Sequence, residues 1–459
     1  MTPTVINGPP PHTDASVETL IIGAGACGLT AALRAHHAGR EVLILERDET
    51  PSGSTSLSSG FVPAPCTRFQ KAINVEDTSD LFCADLMTKS HDTSDRALAR
   101  IAADNIAPAI EWLADHAGIE WIVLDDFLYP GHSRHRMHAV PEKTGAALQA
   151  RLLTAAADIP IATNAHATTL YREGHCISAV GVDRGERTEI IACDALILAC
   201  NGYGGNPELV AEYIPEIADG PYFGHAGNTG DAVLWGEAMG ADLLHLSGYQ
   251  GHGSVAHPHG ILITWALMME GGVQLNVDGR RFSNEHLGYS EQGPHVLAQP
   301  GGIAWDMYDA TIHKFAMNGF PDYRDAYSAG AVKVADTTIN LANLIGAPEA
   351  NVEETLAHCA ALPDASADPF GRDFSKSRAL RPPYYAIKVT GALFHTQGGL
   401  RIDEKARVMT PDGPLANLYA GGGAACGVSG PDVSGYLSGN GLLTALAFGY
   451  LAGGYDPNA

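Results

Sequence analysis

Nothing constrains this chain's fold more than the segment from Val17 to Glu46. Val17-Glu-Thr-Leu-Ile-Ile22 is short, apolar and β-prone, and it runs into Gly23-x-Gly25-x-x-Gly28. An alanine-rich stretch with Cys27 in its first turn then has helical character to about Ala38, and Gly39 closes it as a C-cap. Glu41-Val-Leu-Ile-Leu45 reads as a second buried strand, with Glu46 at its end. Strand, glycine turn, helix, strand and acid in that order form a complete dinucleotide fingerprint in its required context. Gly23 permits the tight turn, Gly25 lets the backbone approach a pyrophosphate, and Gly28 lets helix and strand pack closely. The helix start then offers unpaired N–H groups and a positive dipole end to the phosphates. Glu46 suits ribose hydroxyls and disfavours a 2′-phosphate.

At 459 residues the chain is long enough for two or three domains, and 45% hydrophobic with 17% charged residues is ordinary for a globular enzyme. A formal charge of −24 argues against nucleic acid and anionic membranes as partners. The eight cysteines are scattered with no C-x-x-C pair, which speaks against zinc ribbons, attached haem and common iron–sulfur spacings and fits a reducing cytoplasm. The first residues lack a positive n-region and an apolar h-region, and no apolar run approaches membrane-spanning length.

After the ribose-binding acid comes Pro51-Ser-Gly-Ser-Thr-Ser-Leu-Ser-Ser-Gly60, a Ser/Gly run. Here the sequence resembles the fumarate reductase/succinate dehydrogenase flavoprotein superfamily, which wraps FAD with such a run. Ser54, Thr55, Ser59 and Gly60 are its implied contacts. Relatives that attach FAD covalently use a histidine in this run; Ser54 stands there, so the resemblance implies non-covalent FAD. Further along, Ala195-Leu-Ile-Leu-Ala-Cys-Asn-Gly202 is similar to the family's returning strand, and Asn228-Thr-Gly-Asp-Ala232 to its T-G-D-G turn, which implicates Asp231. Leu418-Tyr-Ala-Gly-Gly-Gly423 resembles L-Y-A-A-G-E with Gly423 in place of the glutamate, a departure that removes one flavin contact. Gly435-Tyr-Leu-Ser-Gly-Asn-Gly441 leads into a final helix over about Gly441–Gly453. Its start, with Gly439, Asn440 and Leu442, would stabilise a reduced flavin. No second strand–glycine–helix unit with a downstream acid appears, so electrons come from the substrate or a separate carrier.

The implied fold is α/β: a Rossmann-like FAD-binding domain over 16–246 and 396–459, an inserted α+β capping domain over 247–395, and a disordered lead-in over 1–15. The cap's landmark, Gly279-Arg-Arg-Phe-Ser-Asn-Glu285, is similar to G-x-R-F-x-N-E, and Tyr384–Val389 and Phe394-His-Thr-Gln-Gly-Gly399 resemble the return to the flavin domain. A fumarate-type reductase places two histidines and several arginines around a dicarboxylate. The histidines have counterparts in His252 and His395. The arginines do not: counting from His252, the relay acid and arginine fall on Trp265 and Met268, the proton-donating arginine on Tyr289, and the carboxylate clamp on or beside Tyr436. Such a pocket cannot hold a dicarboxylate by bidentate ion pairs.

What remains resembles the 3-ketosteroid dehydrogenase branch, in which a tyrosine follows the N-E pair and, in the Δ4-(5α) type, Tyr-x-Ser precedes the last helix. The resemblance implies FAD-dependent α,β-desaturation of a ketone. Tyr436, with a backbone N–H near Gly439–Asn440, would hold the carbonyl oxygen, and Tyr289 would remove the α-proton with Ser438 relaying it. The β-hydride would pass to flavin N5. A phenol of ordinary pKa about 10 needs a stabilised phenolate to act so at neutral pH, for which the positive end of the last helix and His395 are the candidate sources. The substrate is a 3-ketosteroid or a small oxocyclohexane carboxylate, and the oxidant an external acceptor or O2.

Gly131-His-Ser-Arg-His-Arg-Met-His138, with an H-x-x-H-x-x-H spacing, and His252 with His257 and His259 have metal-like patterns. The family's R-x-H segment matches Arg136 and His138, which favours a place in the flavin or substrate pocket over metal. Arg280 and Arg281 are read as bracing the cap. Two other functions stay open: an ene-reductase of fumarate or urocanate type, and a flavin-binding redox partner without turnover.

Overall fold

The apolar run ahead of the glycine turn becomes a central strand because neighbours on both sides bury it. In the computed structural model, which describes residues 3–361, 368–375 and 377–456, strand β1 (Thr4–Asn7) is followed by β2 (Ala15–Ile22), helix α1 (Ala26–His37), β3 (Val42–Leu45) and a short helix α2 (Gly53–Leu57). Further on come the long helix α3 (Arg96–Ala117), β4 (Ile161–Ala162), β5 (His166–Glu173), β6 (Cys176–Asp183), β7 (Thr188–Leu198) and α4 (Asp231–Met239). The later elements are β8 (Tyr249–Ala256), β9 (Ile261–Leu262), β10 (Val273–Leu275), α5 (Tyr289–Leu297), β11 (Ile303–Asp309), β12 (Val332–Ala335), β13 (Tyr384–Thr396), β14 (Arg407–Thr410), β15 (Gly413–Ala420) and α6 (Asn440–Gly453).

The chain divides into two units. The first comprises Met1–Tyr213, Gly224–Tyr249 and His395–Ala459, and the second Ile214–Phe223 and Gln250–Phe394. The second therefore takes in Ile214–Phe223, a stretch the sequence reading placed with the flavin part.

In the first unit a nine-stranded sheet runs β1-β5-β6-β7-β2-β3-β4, with β15 also on β7 and β14 on β15. Its centre is parallel: β2 pairs with β7 (Ile22 beside Leu198) and with β3 (Ile22 beside Leu45), and β7 pairs with β15 (Leu198 beside Ala420). The C-terminal ends of these strands thus lie together, where ligands bind in open α/β sheets. The lead-in expected over 1–15 is instead partly a strand, since β1 pairs in parallel with β5 from Thr4–Thr169 to Asn7–Arg172. Thr-Val-Ile suits a strand, and the edge of β5 offers unpaired backbone groups.

Helices α1 and α6 close one face of this sheet. A Cβ at Gly449 would lie 2.5 Å from the Cys27 carbonyl oxygen and one at Gly453 2.3 Å from that of Ala31, so the two backbones touch. Cys27 belongs to this packing: its Sγ sits where a Cβ at Gly421 would go, and burial pushes its thiol up to about 12.

In the second unit the sheet order is β9-β8-β13-β11-β10, with β12 also on β13. Its frame is an ion cluster without solvent. Glu285 accepts from Arg281 at 2.7 Å and from Arg372 at 3.0 Å, while Arg281 also reaches Asp368 at 2.7 Å. Burial opposes ionisation of Glu285, but the two guanidinium groups outweigh it and bring the carboxyl down to about 2. Arg281 is a brace. Arg280, by contrast, is exposed and pairs with Glu354.

Candidate active site

The glycine turn is a cradle that side chains would fill. A Cβ at Gly23 (φ +107°) would lie 2.4 Å from the Ala199 carbonyl oxygen, and one at Gly28 1.9 Å from that of Gly23. Thr55 Oγ1 accepts from the Ala26 N–H at 2.9 Å, and Gly25 leaves space beside that hydroxyl. Glu46 is buried and its carboxylate bridges the N–H groups of Ala24 (3.1 Å) and Asp48 (3.0 Å), which fixes it at the end of β3. Gly60 (φ +74°) is held against the Thr144 carbonyl, while Ser59 beside it is exposed.

Ser54 Oγ accepts from the side-chain amides of Asn201 (3.0 Å) and Asn228 (2.9 Å). Asn201 also explains the missing glutamate at Gly423: a Cβ there would lie 2.2 Å from Asn201 Oδ1. An amide on the neighbouring strand end fills the place from which an acid would start. Asp231, buried at the start of α4, accepts from Thr229 Oγ1 at 2.8 Å.

The start of α6 is tightly specified. Gly439 (φ +91°) has no room for a side chain, since a Cβ would lie 2.5 Å from Pro63 Cδ. Asn440 is fully buried, its Nδ2 donates to Ser429 Oγ at 2.8 Å, and its Oδ1 has no partner among the described residues. Leu442 packs into the core. A Cβ at Gly441 would meet the His395 ring at 3.0 Å, so glycine lets the imidazole lie over the first turn. The edge of that ring meets Tyr436 with centroids 5.3 Å apart and planes at 78°. Burial brings His395 down to about 4, so the expected positive charge beside a phenolate is not available from it; it is a neutral imidazole. Ser438 is held through its backbone, its carbonyl accepting from His132 Nε2 at 3.0 Å.

In the second unit Tyr289 opens α5. Gly251 and Gly253 on β8 let this helix come close: Ser290 Oγ accepts from the Gly251 N–H at 2.9 Å, and a Cβ at Gly253 would collide with Gln292. His252, between those glycines, is buried and stacks on the Tyr289 ring with centroids 5.0 Å apart. Its Nδ1 accepts from the Ser254 N–H at 3.0 Å, so the neutral ring carries its proton on Nε2, and burial brings its pKa down to about 3. Trp265 meets His252 edge-on and donates to the Glu285 carbonyl, and Met268 is buried.

Arg136 and His138, expected at a substrate or flavin pocket, are committed elsewhere. Fully buried Arg136 forks onto Asp77 (2.9 and 3.0 Å) and reaches Asp85 at 2.6 Å. His138 donates from Nδ1 to the Arg136 carbonyl and accepts at Nε2 from Thr67, both at 2.8 Å. Both are fully buried among these partners. No group of three or more His, Cys, Asp or Glu among the described residues is arranged to hold a metal. Sequence reading missed Asn201, Gln397, Ser429 and His132. Asn201, Gln397 and His132 each lay inside a quoted motif, in Ala195–Gly202, Phe394–Gly399 and Gly131–His138, whereas Ser429 carried no local signal.

Residues 18–442 match the family described as FAD binding domain. The chain belongs to this flavoprotein family, within the fumarate reductase/succinate dehydrogenase superfamily. A probable fumarate reductase of Shewanella frigidimarina is 30% identical over 452 residues, 95% of this chain and 74% of that protein. A urocanate reductase of Eggerthella lenta is 26% identical over 466 residues, 95% and 74% of the two chains. Among solved structures, the open conformation of a flavocytochrome c3 fumarate reductase superposes with a TM-score of 0.80 at 28% identity, covering 96% of this chain and 78% of that one. The 3-ketosteroid-Δ4-(5α)-dehydrogenase of Rhodococcus jostii RHA1 shares the fold, with a TM-score of 0.77 at 20% identity and 97% of both chains. The protein is thus an FAD-dependent oxidoreductase of carbon–carbon bonds. No helix among the described residues is long and apolar enough to cross a membrane.

Proposed function

We propose that this flavoprotein desaturates a cyclic ketone, removing a proton from the carbon next to the carbonyl and a hydride from the carbon beyond. The arginine inventory carries this reading. Among the described residues the buried arginines are Arg136, Arg281 and Arg372, and each is engaged by buried carboxylates. Clamping a dicarboxylate and delivering a proton from a guanidinium both need arginines that are uncommitted. By the count from His252, the positions that a reductase fills with arginines fall on Met268, Tyr289 and on or beside Tyr436, and the position of its relay acid falls on Trp265.

FAD, held non-covalently by the glycine turn, the Ser54–Gly60 run and the start of α6, supplies the hydride acceptor. Tyr436 and a backbone N–H at Gly439–Asn440 donate to the carbonyl oxygen, where negative charge grows as the α-proton leaves. Tyr289 takes that proton, and Ser438 relays it. Three pH units between a phenol of ordinary pKa and neutrality correspond to about 4 kcal/mol. With His252 and His395 neutral, hydrogen bonds and the dipole of α6 have to supply that stabilisation. Substrates of either size, an oxocyclohexane carboxylate or a 3-ketosteroid, suit this chemistry, with an external carrier or O2 as oxidant. The scattered cysteines support a cytoplasmic setting.

A second reading, an ene-reductase on a monocarboxylate, is favoured by His252 and His395 and by the reductases among the relatives. Anaerobic bleaching of the bound flavin separates the two. Bleaching by a saturated cyclic ketone or a 5α-3-ketosteroid supports desaturation. No bleaching, with reoxidation of dithionite-reduced flavin by an unsaturated acid, replaces it with the reductase.

A further inference from the structure

Four buried or half-buried side chains of the first unit form an unbroken chain from the start of α6 to the imidazole beside Tyr436. Asn440 Nδ2 donates to Ser429 Oγ (2.8 Å), Ser429 Oγ to Gln397 Oε1 (2.7 Å), and Gln397 Nε2 to His395 Nδ1 (2.9 Å). Asn440 and Ser429 are fully buried and Gln397 nearly so. The backbone holds Gln397 on both sides: its N–H donates to the Gly248 carbonyl at 2.8 Å and its own carbonyl accepts from the Gly427 N–H at 2.7 Å.

We propose that Asn440, Ser429, Gln397 and His395 act as one relay of reversible polarity, which couples the tautomer of His395 to the atom that Asn440 presents at the start of α6. Every member can exchange its donor and acceptor ends: the two amides by half a turn, the hydroxyl by rotation, and the imidazole by its tautomer. In the polarity described, His395 Nδ1 accepts, so its single proton lies on Nε2, and Asn440 presents an oxygen. That oxygen is the fully buried Oδ1, which has no hydrogen-bond partner among the described residues and so is left unsatisfied in this polarity. In the opposite polarity His395 Nδ1–H donates to Gln397, Ser429 donates to Asn440, and Asn440 presents its NH2 group. The Thr396 carbonyl, 3.3 Å from His395 Nδ1, is placed to accept in that second state. Reversal moves no net proton, because the imidazole releases one from Nε2 and takes one up at Nδ1 through solvent. Gln397 and Ser429 are therefore positioning residues: they decide whether His395 offers a donor or a lone pair on the side away from Gln397. The inference rests on FAD being held at the start of α6, not on the choice of substrate.

The test is nitrogen NMR of the flavin-containing protein labelled in histidine, with His395 assigned by its absence in His395→Gln. Wild type is expected in the Nε2–H tautomer. Asn440→Asp offers only acceptors to Ser429 and should invert His395 to Nδ1–H, although three hydrogen bonds separate them. Ser429→Ala should give a mixture, with Ser429→Thr restoring one tautomer. A wild type in any other state, or an unchanged tautomer in both Asn440→Asp and Ser429→Ala, overturns the relay. Flavin content of the same samples is read separately, so loss of the cofactor reading shows as colourless protein.

Discussion

The imidazole of His252 lies against the phenol ring of Tyr289, with centroids 5.0 Å apart and planes inclined by 23°. Because His252 is neutral and its Nδ1 is occupied by the Ser254 N–H, the contact sets the tyrosine's orientation rather than its charge. Tyr289→Phe keeps this stacking and removes only the hydroxyl. We expect desaturation to fall by about 10²–10⁴-fold with flavin content unchanged. Single-turnover bleaching under nitrogen measures this; a fall of less than threefold would remove Tyr289 from the chemistry.

Asp306 gives a stability prediction with a definite sign. It is buried, accepts from Ser254 and from Gln274 (2.7 Å), pairs with no cation among the described residues, and burial raises its carboxyl to about 7. Between pH 4 and 7 the folded protein therefore holds a proton that the unfolded chain has released. Stability from this group is present below the unfolded pKa and is lost as pH rises through 7, by up to roughly 4 kcal/mol. Asp306→Asn should be more stable relative to wild type at pH 8 than at pH 5. Urea titrations of both proteins at the two pH values check it, and a constant difference would refute it.

Arg136→Met tests the reassignment of that residue. Removing the guanidinium leaves the buried carboxylate of Asp77 and the half-buried one of Asp85 without a counter-charge, a loss expected near 3–5 kcal/mol. The protein that remains folded should keep its KM for substrate. A raised KM at unchanged thermal stability would return Arg136 to the pocket.

Gly423→Glu restores the family's acid, but its Cβ would meet Asn201 Oδ1 at 2.2 Å. We expect weaker flavin retention than in wild type, with Asn201→Gly recovering most of the loss in the double variant. Flavin release on gel filtration reads both, and additive effects would show that the two positions do not compensate one another.

The βαβ fingerprint was legible because each glycine answers a local demand: Gly23 for its positive φ, Gly28 for backbone contact. Helix α1 and strands β2 and β3 followed from local composition, two short apolar runs flanking an alanine-rich stretch bounded by glycines. The long-range partnerships were not legible. Arg136 looks like a free basic group until Asp77 and Asp85, more than fifty residues earlier, close on it. Asn201 and Gly423 compensate across two strand ends, and Ser429 meets Gln397 only through a turn that leaves no periodic trace. Four residues at Thr4–Asn7 were too few to read as a strand without the edge of β5 to pair with.

The backbone contact between α1 and α6 has a consequence for synthesis. The second unit is complete once residue 394 has been made, whereas the first waits for the Gly449 and Gly453 that seat against Cys27 and Ala31. During translation Cys27 and Ala31 wait for more than four hundred residues before the helix that seats against them emerges. The nucleotide half of this enzyme is thus completed after the second unit although it is begun first, and slow elongation through α6 prolongs the interval in which it is open to misfolding.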